Sequence, residues 1–164
     1  KIGGKTMGPR SEFECDMSRF SIDLSYNQLS GSIPASLGKL NFLQSLYLRY
    51  NLLNNSIPPS LGEISYLKEL DVSNNQLSGS LPSTLGNLSF LYSLWLSSNN
   101  FTDLLPESYA KLKSLQQFSI AGNYLYGHFP NFITNWSTQL SFYTLSLSGN
   151  NFWGDISPDI FNIT

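Results

Sequence analysis

Charged side chains, cysteine and histidine are all scarce in this sequence. Only 12% of the 164 residues are Asp, Glu, Lys or Arg, and the formal net charge is −2. A weakly negative chain has no electrostatic basis for binding nucleic acid or an anionic membrane as its main partner. No apolar run approaches the roughly 20 residues that span a bilayer, so we predict no direct membrane insertion by this segment.

Cys15 and His128 are the only cysteine and the only histidine. A single cysteine cannot form a disulfide within the chain, so Cys15 is either a free thiol or the partner of a cysteine outside it. A catalytic histidine needs a positioned nucleophile, and a metal site needs further ligands, and neither is near His128 in sequence. We therefore predict no enzyme, no catalytic residue, no metal site and no cofactor.

Asparagine recurs at a constant interval. Five occurrences are 24 residues apart and the sixth follows after 27: Asn27, Asn51, Asn75, Asn99, Asn123 and Asn150. Apolar residues two positions apart precede each one, as Leu46 and Leu48 precede Asn51, and this spacing is typical of a strand with one buried face. An asparagine where such a strand ends can bond buried backbone groups of its own repeat and the next, so we predict a structural ladder of side-chain amides.

The second half of each repeat is equally regular. Four residues after each asparagine stands a residue that tolerates positive φ: Gly31, Asn55, Gly79, Asp103, Gly127 and Gly154. This column predicts a left-handed turn. An apolar residue plus proline follows in five of the six copies, as in Ile33-Pro34. Apolar residues three apart, such as Leu37 and Leu40, then predict a short helical turn.

Segments such as LDVSNNQLSGSLPSTLGNLSFL resemble the plant-specific class of extracellular leucine-rich repeat. The resemblance covers residues 20–164. It implies an α/β solenoid of about six 24-residue coils, with a parallel β-sheet on the concave face and short helical turns outside. The stretch 82–140 is most similar to receptor-like kinases that combine these repeats with a malectin-like domain.

This resemblance implies a non-catalytic recognition module, either the ectodomain of a plasma-membrane protein or a protein secreted to the cell wall. Its partner would be a protein or peptide ligand, or a co-receptor, bound on the concave face. Two other functions stay open. One is a soluble inhibitor resembling polygalacturonase-inhibiting proteins, and the other is a structural or ice-binding wall protein. A regular threonine array would favour the ice-binding function, and no column shows one.

The chain divides into two predicted parts. Residues 1–19 form an N-terminal segment, which we interpret as the remnant of a cap. For residues 10–13, an origin in a cloning site stays open as an alternative. Residues 20–164 form the repeat array, which we expect to be truncated at its C-terminal end. In the resembling families paired cysteines staple the caps, and a partner for Cys15 would lie upstream.

Strand alternation predicts which side chains face outward, and the outward aromatic and charged residues cluster on the first four coils. We predict a ligand-binding patch, the concave patch: Tyr47, Arg49, Tyr50, Glu69, Asp71 and Trp95. Aromatic rings and arginine are common interface anchors, and we expect Trp95 to be largely solvated. A lateral group, Tyr124, Tyr126 and Trp153, is as well explained by packing between coils, and we expect Trp136 in the core.

Five Asn-x-Ser/Thr sequons are present: Asn54, Asn87, Asn100, Asn135 and Asn162. Because the resemblance implies secretion, we predict these asparagines as glycosylation sites.

Overall fold

Repeating coils make up the described part of the chain. The structure, a computed structural model, describes residues 20–136 and 143–159. The segment 1–19 with Cys15, and Asn162, therefore lie outside the described residues. One strand from each coil joins a six-stranded parallel sheet in chain order. Its strands are β1 (Ser21–Asp23), β3 (Ser45–Tyr47), β5 (Glu69–Asp71), β7 (Ser93–Trp95), β9 (Gln117–Ser119) and β11 (Thr144–Ser146).

The 24-residue interval sets the register of this sheet. Leu46 pairs with Leu70, and Leu70 with Leu94, so each apolar column becomes a continuous buried row. Side chains alternate across a strand, and the residues on either side of each buried leucine therefore face the concave side. The predicted parallel sheet of a leucine-rich repeat solenoid is confirmed.

A second set of strands follows the asparagine corner, which the repeat pattern did not predict. A four-stranded sheet and a two-stranded sheet lie beside the first one. Their strands are β2 (Ser30–Gly31), β4 (Leu52–Asn55), β6 (Gln76–Ser80), β8 (Asn100–Thr102), β10 (Tyr126–His128) and β12 (Asn151–Trp153). Because equivalent segments of successive coils run parallel side by side, their backbones can pair there too.

Short 3-10 helices form the outer side of each coil. They are Ala35–Lys39, Pro59–Glu63, Ser83–Asn87, Glu107–Lys111 and Asn131–Trp136. In the first four of these helices the proline of the apolar-proline pair lies just before the helix in an extended conformation. The Pro34 carbonyl, for example, accepts the first turn's hydrogen bond from the Leu37 amide. Proline fixes φ near −65° and lacks an N–H, so it suits this entry position. The predicted outer turns are confirmed, as 3-10 rather than α-helices.

Successive outer turns approach one another closely at a glycine column. A Cβ added at Gly62 would lie 2.4 Å from the backbone oxygen of Thr84 on the next coil, and Gly38 and Gly86 meet similar contacts. The Thr84 hydroxyl in turn donates to the carbonyl of Pro59 at 2.6 Å. The absence of side chains at this column therefore lets the outer turns pack backbone against backbone.

Two columns of the backbone adopt left-handed conformations. The column predicted from its glycine, asparagine and aspartate residues has φ between 63° and 116°. A second column, the residue before each ladder asparagine, has φ between 54° and 66° and was not predicted: Tyr26, Tyr50, Asn74, Ser98, Gly122 and Gly149. This second turn directs the chain off the concave sheet.

From the second coil onward, each asparagine of the ladder bonds backbone groups of two coils. Asn99 Nδ2 donates to the carbonyls of Val72, Leu96 and Ser97, at 3.0, 3.3 and 3.2 Å. Its Oδ1 accepts from the Leu77 amide at 3.0 Å. Asn51, Asn75, Asn123 and Asn150 repeat this pattern. Asn27, on the first described coil, donates within its own coil to Leu24 and Ser25.

The core runs as one cluster along the array between the concave sheet and the outer helices. Leucines at equivalent positions fill it, and larger rings enter in the later coils. Trp136 is fully buried, as expected, and its Nε1 donates to the Tyr109 carbonyl at 3.0 Å. Leu24 and Leu29 are exposed on the first described coil, whereas inner coils bury the same columns between two neighbours.

Candidate recognition surface

The concave sheet brings the six predicted patch residues together. Register pairing places Tyr47 beside Asp71 and Asp71 beside Trp95 on successive coils. A depression of about 380 Å³ opens there, and the residues that line it include all six together with Tyr26. Side chains of successive coils thus build a surface that no single repeat contains.

Glu69 is the centre of a hydrogen-bond cluster in this depression. The Tyr47 hydroxyl donates to Glu69 Oε2 at 2.6 Å, and the hydroxyls of Tyr92 and Ser45 donate to Oε1. Burial, followed by the hydrogen bond to Glu69, raises the pKa of both the Tyr47 and the Tyr92 phenol. Both phenol hydroxyls therefore stay protonated at neutral pH, and their hydrogen bonds hold the Glu69 side chain in place.

Asp71 is more buried than strand alternation predicts. Only 6% of its surface is exposed, although its side chain leaves the sheet on the concave side. Its Oδ1 accepts from the backbone amide and the hydroxyl of Ser73, at 3.0 and 2.6 Å, and Oδ2 lies 3.7 Å from Arg49. The large rings of Tyr47 and Trp95 flank it on the adjacent strands, which is why a short side chain is covered there.

Arg49 lies against an aromatic pair at the edge of the patch. Its guanidinium carbon is 5.3 Å from the centroid of the Tyr26 ring, within the range of a cation–π contact. Tyr26 and Tyr50 stack with centroids 4.6 Å apart and planes 11° apart. Asp71 Oδ2 lies 3.7 Å from Arg49, and the Arg49 side chain remains about half exposed.

Trp95 is half-buried, so the expectation that it would be largely solvated is wrong. Its indole Nε1 donates to the Ser93 hydroxyl at 2.7 Å, and that hydroxyl donates to Gln117 Oε1 at 3.0 Å. The ring is thereby held down along its own strand. The expectation assumed that small neighbouring serines leave a large ring free, and it overlooked a serine as a hydrogen-bond partner.

Tyr92 is a member of the site that the strand columns did not include. It precedes β7 by one residue, outside the alternation that defines the concave columns. Only the stacking of coils brings its hydroxyl to Glu69. An aromatic residue directly before the strand was the sole signal in the sequence.

The lateral aromatic group forms a separate groove. Tyr124, Tyr126 and Trp153 are all exposed, and the imidazole of His128 contacts the Trp153 ring with centroids 3.7 Å apart. A groove of about 740 Å³ lies beside them, lined by Tyr126, Trp153 and apolar residues including Leu104 and Phe132. The structure keeps this groove apart from the concave patch.

The sequons occupy different parts of the coils. Asn87, at the end of an outer helix, and Asn100, in β8, are exposed, whereas Asn54 in β4 is half-buried and accepts from Asn55 Nδ2 at 2.6 Å. The side chain of Asn135 and all of Asn162 lie outside what the structure describes.

Family models agree with this architecture. A model described as Leucine rich repeat matches residues 65–125, and a second one of the same description matches residues 20–40, 42–64 and 141–163. The chain belongs to the leucine-rich repeat family. No curated protein matches this repeat chain.

Solved structures similar to the repeat chain are plant receptor ectodomains. The crystal structure of a TDR receptor is 41% identical over 86% of this chain and 24% of that one, with a TM-score of 0.82. The BIR3–SERK2 complex from Arabidopsis thaliana is 36% identical over 82% and 70%, with a TM-score of 0.71. The ectodomain of the Arabidopsis receptor kinase HAESA, in complex with an IDA peptide hormone, is 36% identical over 87% and 24%, with a TM-score of 0.82. The repeat chain spans about a quarter of the TDR and HAESA chains.

Two further observations concern the residues that the structure describes. None of their helices is long and apolar enough to cross a membrane. No group of three or more His, Cys, Asp or Glu residues within 20–136 and 143–159 is placed to hold a metal ion.

Proposed function

We propose that this chain is the ligand-binding part of a plant receptor-like kinase or receptor-like protein, and that it recognises a protein or peptide ligand, or a co-receptor, through the concave patch. The similar structures include the peptide hormone receptor RGFR1 in complex with RGF2, HAESA in complex with an IDA peptide hormone, and the BIR3–SERK2 complex. The proposal places the segment outside the cell, with its sequons glycosylated. We also propose that the whole protein carries a malectin-like domain, because residues 82–140 are similar to receptor-like kinases that combine these repeats with such a domain.

The backbone at Tyr26 and Tyr50 is the observation that favours recognition at this patch. Both tyrosines adopt a left-handed conformation, with φ of 56° and 54°, at a column where the fifth and sixth coils have Gly122 and Gly149. A left-handed conformation costs an L-residue with a Cβ roughly 1–2 kcal/mol. Strained residues of this kind cluster at binding sites, where the surrounding structure holds them in an unfavourable conformation.

The pre-formed contacts favour the same conclusion. Tyr47, Glu69 and Arg49 each have a fixed partner within the patch before any ligand arrives. A rigid surface loses less conformational entropy on binding than a mobile one. The patch also combines the exposed rings of Tyr26 and Tyr50 with the half-exposed side chain of Arg49, and aromatic rings and arginine are typical interface anchors.

Peptides selected from a random display library against the immobilised protein provide a test of the site. Their affinities would be titrated against wild type, Trp95→Ala and Tyr50→Gly. We expect each substitution to weaken binding by about 2 kcal/mol, roughly 30-fold. The two should differ in stability. Tyr50→Gly relieves the left-handed strain as it removes the ring stack, so its melting temperature should stay near wild type, and Trp95→Ala should lose about 1 kcal/mol with its hydrogen bond.

Tyr126→Ala, in the lateral groove, serves as the matched control and should leave these affinities unchanged. If the selected peptides lose affinity only with Tyr126→Ala, the proposal is wrong and recognition belongs to the lateral groove.

A further inference from the structure

The side of the solenoid that leads into the concave strands differs in charge from the rest of the molecule. We call this side the turn edge: residues 39–44, 63–68, 87–92 and 111–116, each running from the end of an outer helix to the residue before the next concave strand. Every lysine of the described residues lies on it: Lys39, Lys68, Lys111 and Lys113. Glu63 is the only acidic residue there, so the turn edge is basic although the whole chain is weakly acidic.

A row of three aromatic rings runs along the same edge. Phe42, Tyr66 and Phe90 occupy one column in three successive coils, and their rings stack with centroids 6.1 and 6.0 Å apart and planes within 14°. Each ring remains about half exposed, at 54, 49 and 51%. The row ends at the next coil, where the column holds Ser114. This aromatic ridge is therefore a local feature of three coils, not a requirement of the repeat.

Isolated exposed aromatic residues are common and need no function. Three rings in register form a contiguous apolar strip instead, and such strips mark interaction surfaces. Lys39 lies three residues before Phe42, Lys68 two residues after Tyr66, and Lys111 on the coil after Phe90. Glu63 holds the corresponding position three residues before Tyr66, so the border of the strip is predominantly, not wholly, positive. An apolar strip with such a border has the layout of an interface whose partner carries mainly negative charge.

The opposite edge of the coils has different chemistry. Asn54 and Asn100 lie there in β4 and β8, with Asp103 one residue beyond β8. Glycans at these sequons would cover that edge. Asn87 borders the ridge on its outer side, three residues before Phe90, and the ridge itself contains no sequon. The turn-edge segments 39–44 and 63–68 contain no sequon, so this part of the ridge remains available to a macromolecule, whereas a glycan at Asn87 would border Phe90.

We propose that the aromatic ridge of Phe42, Tyr66 and Phe90, with its flanking lysines, is a second interaction surface that docks an acidic protein surface bearing an apolar side chain. It lies on the turn edge, outside the concave patch, and so does not depend on the function proposed for that patch. The rings would cover the partner's apolar group, and the lysines would pair with its carboxylates and orient it.

Three synthetic hexapeptides serve as probes. Their binding is detected by NMR, as changes in the backbone amide chemical shifts of the isotope-labelled protein at low and at high salt. The first is Glu-Glu-Leu-Phe-Glu-Glu, the second replaces every Glu by Lys, and the third replaces Leu-Phe by Ser-Ser. We expect only the first to bind, to shift amides of residues 39–44, 63–68 and 87–92, and to weaken as salt rises. A peptide that shifts only concave-patch residues, or no binding by the first peptide, would overturn the proposal.

Two double variants separate the apolar and charged contributions. The ring variant combines Phe42→Ser with Phe90→Ser, and the charge variant combines Lys39→Glu with Lys111→Glu. Each should lower the affinity for the first peptide at least about tenfold. The lysines are exposed at helix ends, so the charge variant should fold even if the ring variant does not, and peptides selected on the concave patch should bind it unchanged. Tyr126→Ala serves as the control on the other edge.

An oligogalacturonate of similar charge tests the alternative partner, an anionic polysaccharide. If it binds more tightly than the first peptide and loses affinity in the lysine variant but not in the ring variant, the protein-docking proposal is wrong.

Discussion

Asn75 Nδ2 donates a hydrogen bond of 3.0 Å to the backbone carbonyl of Leu48, in the preceding coil. It also donates to Val72 and Ser73 of its own coil, and its Oδ1 accepts from the Leu53 amide at 3.0 Å. One side chain thus satisfies backbone groups that no sheet or helix can reach. The same amide links successive coils along the array.

Asn75→Ala should therefore destabilise the protein by about 1–3 kcal/mol, because it leaves these partners without a hydrogen bond. Urea denaturation would measure the loss. The neighbouring Asn74 makes a suitable control only as Asn74→Gly. Its φ of 54° would add strain to an alanine, whereas glycine adopts it freely. Equal losses for Asn75→Ala and Asn74→Gly would contradict the structural role of the ladder.

Gly62→Ala should be strongly destabilising for its size. The added Cβ would lie 2.4 Å from the Thr84 backbone oxygen, so the two outer turns must separate. Overpacking of this kind costs about 1–3 kcal/mol, which thermal unfolding would detect. The fifth coil has Ala110 at the equivalent position. Ala110→Gly should cost only about 0.5–1 kcal/mol through chain flexibility, and a larger loss there than at Gly62 would show that close approach is not what selects glycine.

Asn87 and Asn100 should carry glycans when the protein is made in a plant or insect secretory host, since both side chains are exposed. Asn54 should be occupied less, because it is half-buried and bonded to Asn55. Intact mass before and after enzymatic deglycosylation measures total occupancy, and Asn87→Gln and Asn100→Gln assign the sites. An unchanged mass after deglycosylation would remove the support for secretion.

Stability should fall at alkaline pH, in part through Tyr109. Burial raises the pKa of this phenol above its usual value of 10. The neutral phenol therefore contributes stability that is present in full below pH 10, and that is lost as pH rises above the unfolded-state pKa. Tyr109→Phe should lose about 1 kcal/mol at pH 7, because the bond to the Pro82 carbonyl disappears.

Above pH 10 the free energy of unfolding of Tyr109→Phe should decrease less steeply than that of wild type. Urea denaturation at pH 7, 9, 10 and 11 gives both slopes. Parallel slopes would mean that the Tyr109 phenol ionises as readily in the folded as in the unfolded state.

The repeat unit could be predicted from the sequence because its signals are local. A strand and the corner that follows it are predicted by three residues within a span of six, Leu46, Leu48 and Asn51. The column that begins with Gly31 predicts a left-handed turn. The six residues of the concave patch could also be placed on one face, since alternation along a strand and a constant repeat determine direction and register together.

Only the tertiary structure decided how those side chains meet. Three features depend on side-chain conformation and on distances between coils. They are the burial of Asp71, the hydrogen bond from Trp95 to Ser93, and the hydrogen bond from Tyr92 to Glu69. The left-handed backbone of Tyr50 and the aromatic ridge from Phe42 to Phe90 are of the same kind. The sequence by itself determined a solenoid and its faces. Side-chain conformation within a strand, as at Trp95, and contacts between residues 22 to 24 positions apart determined which groups on those faces are buried, strained or free to bind.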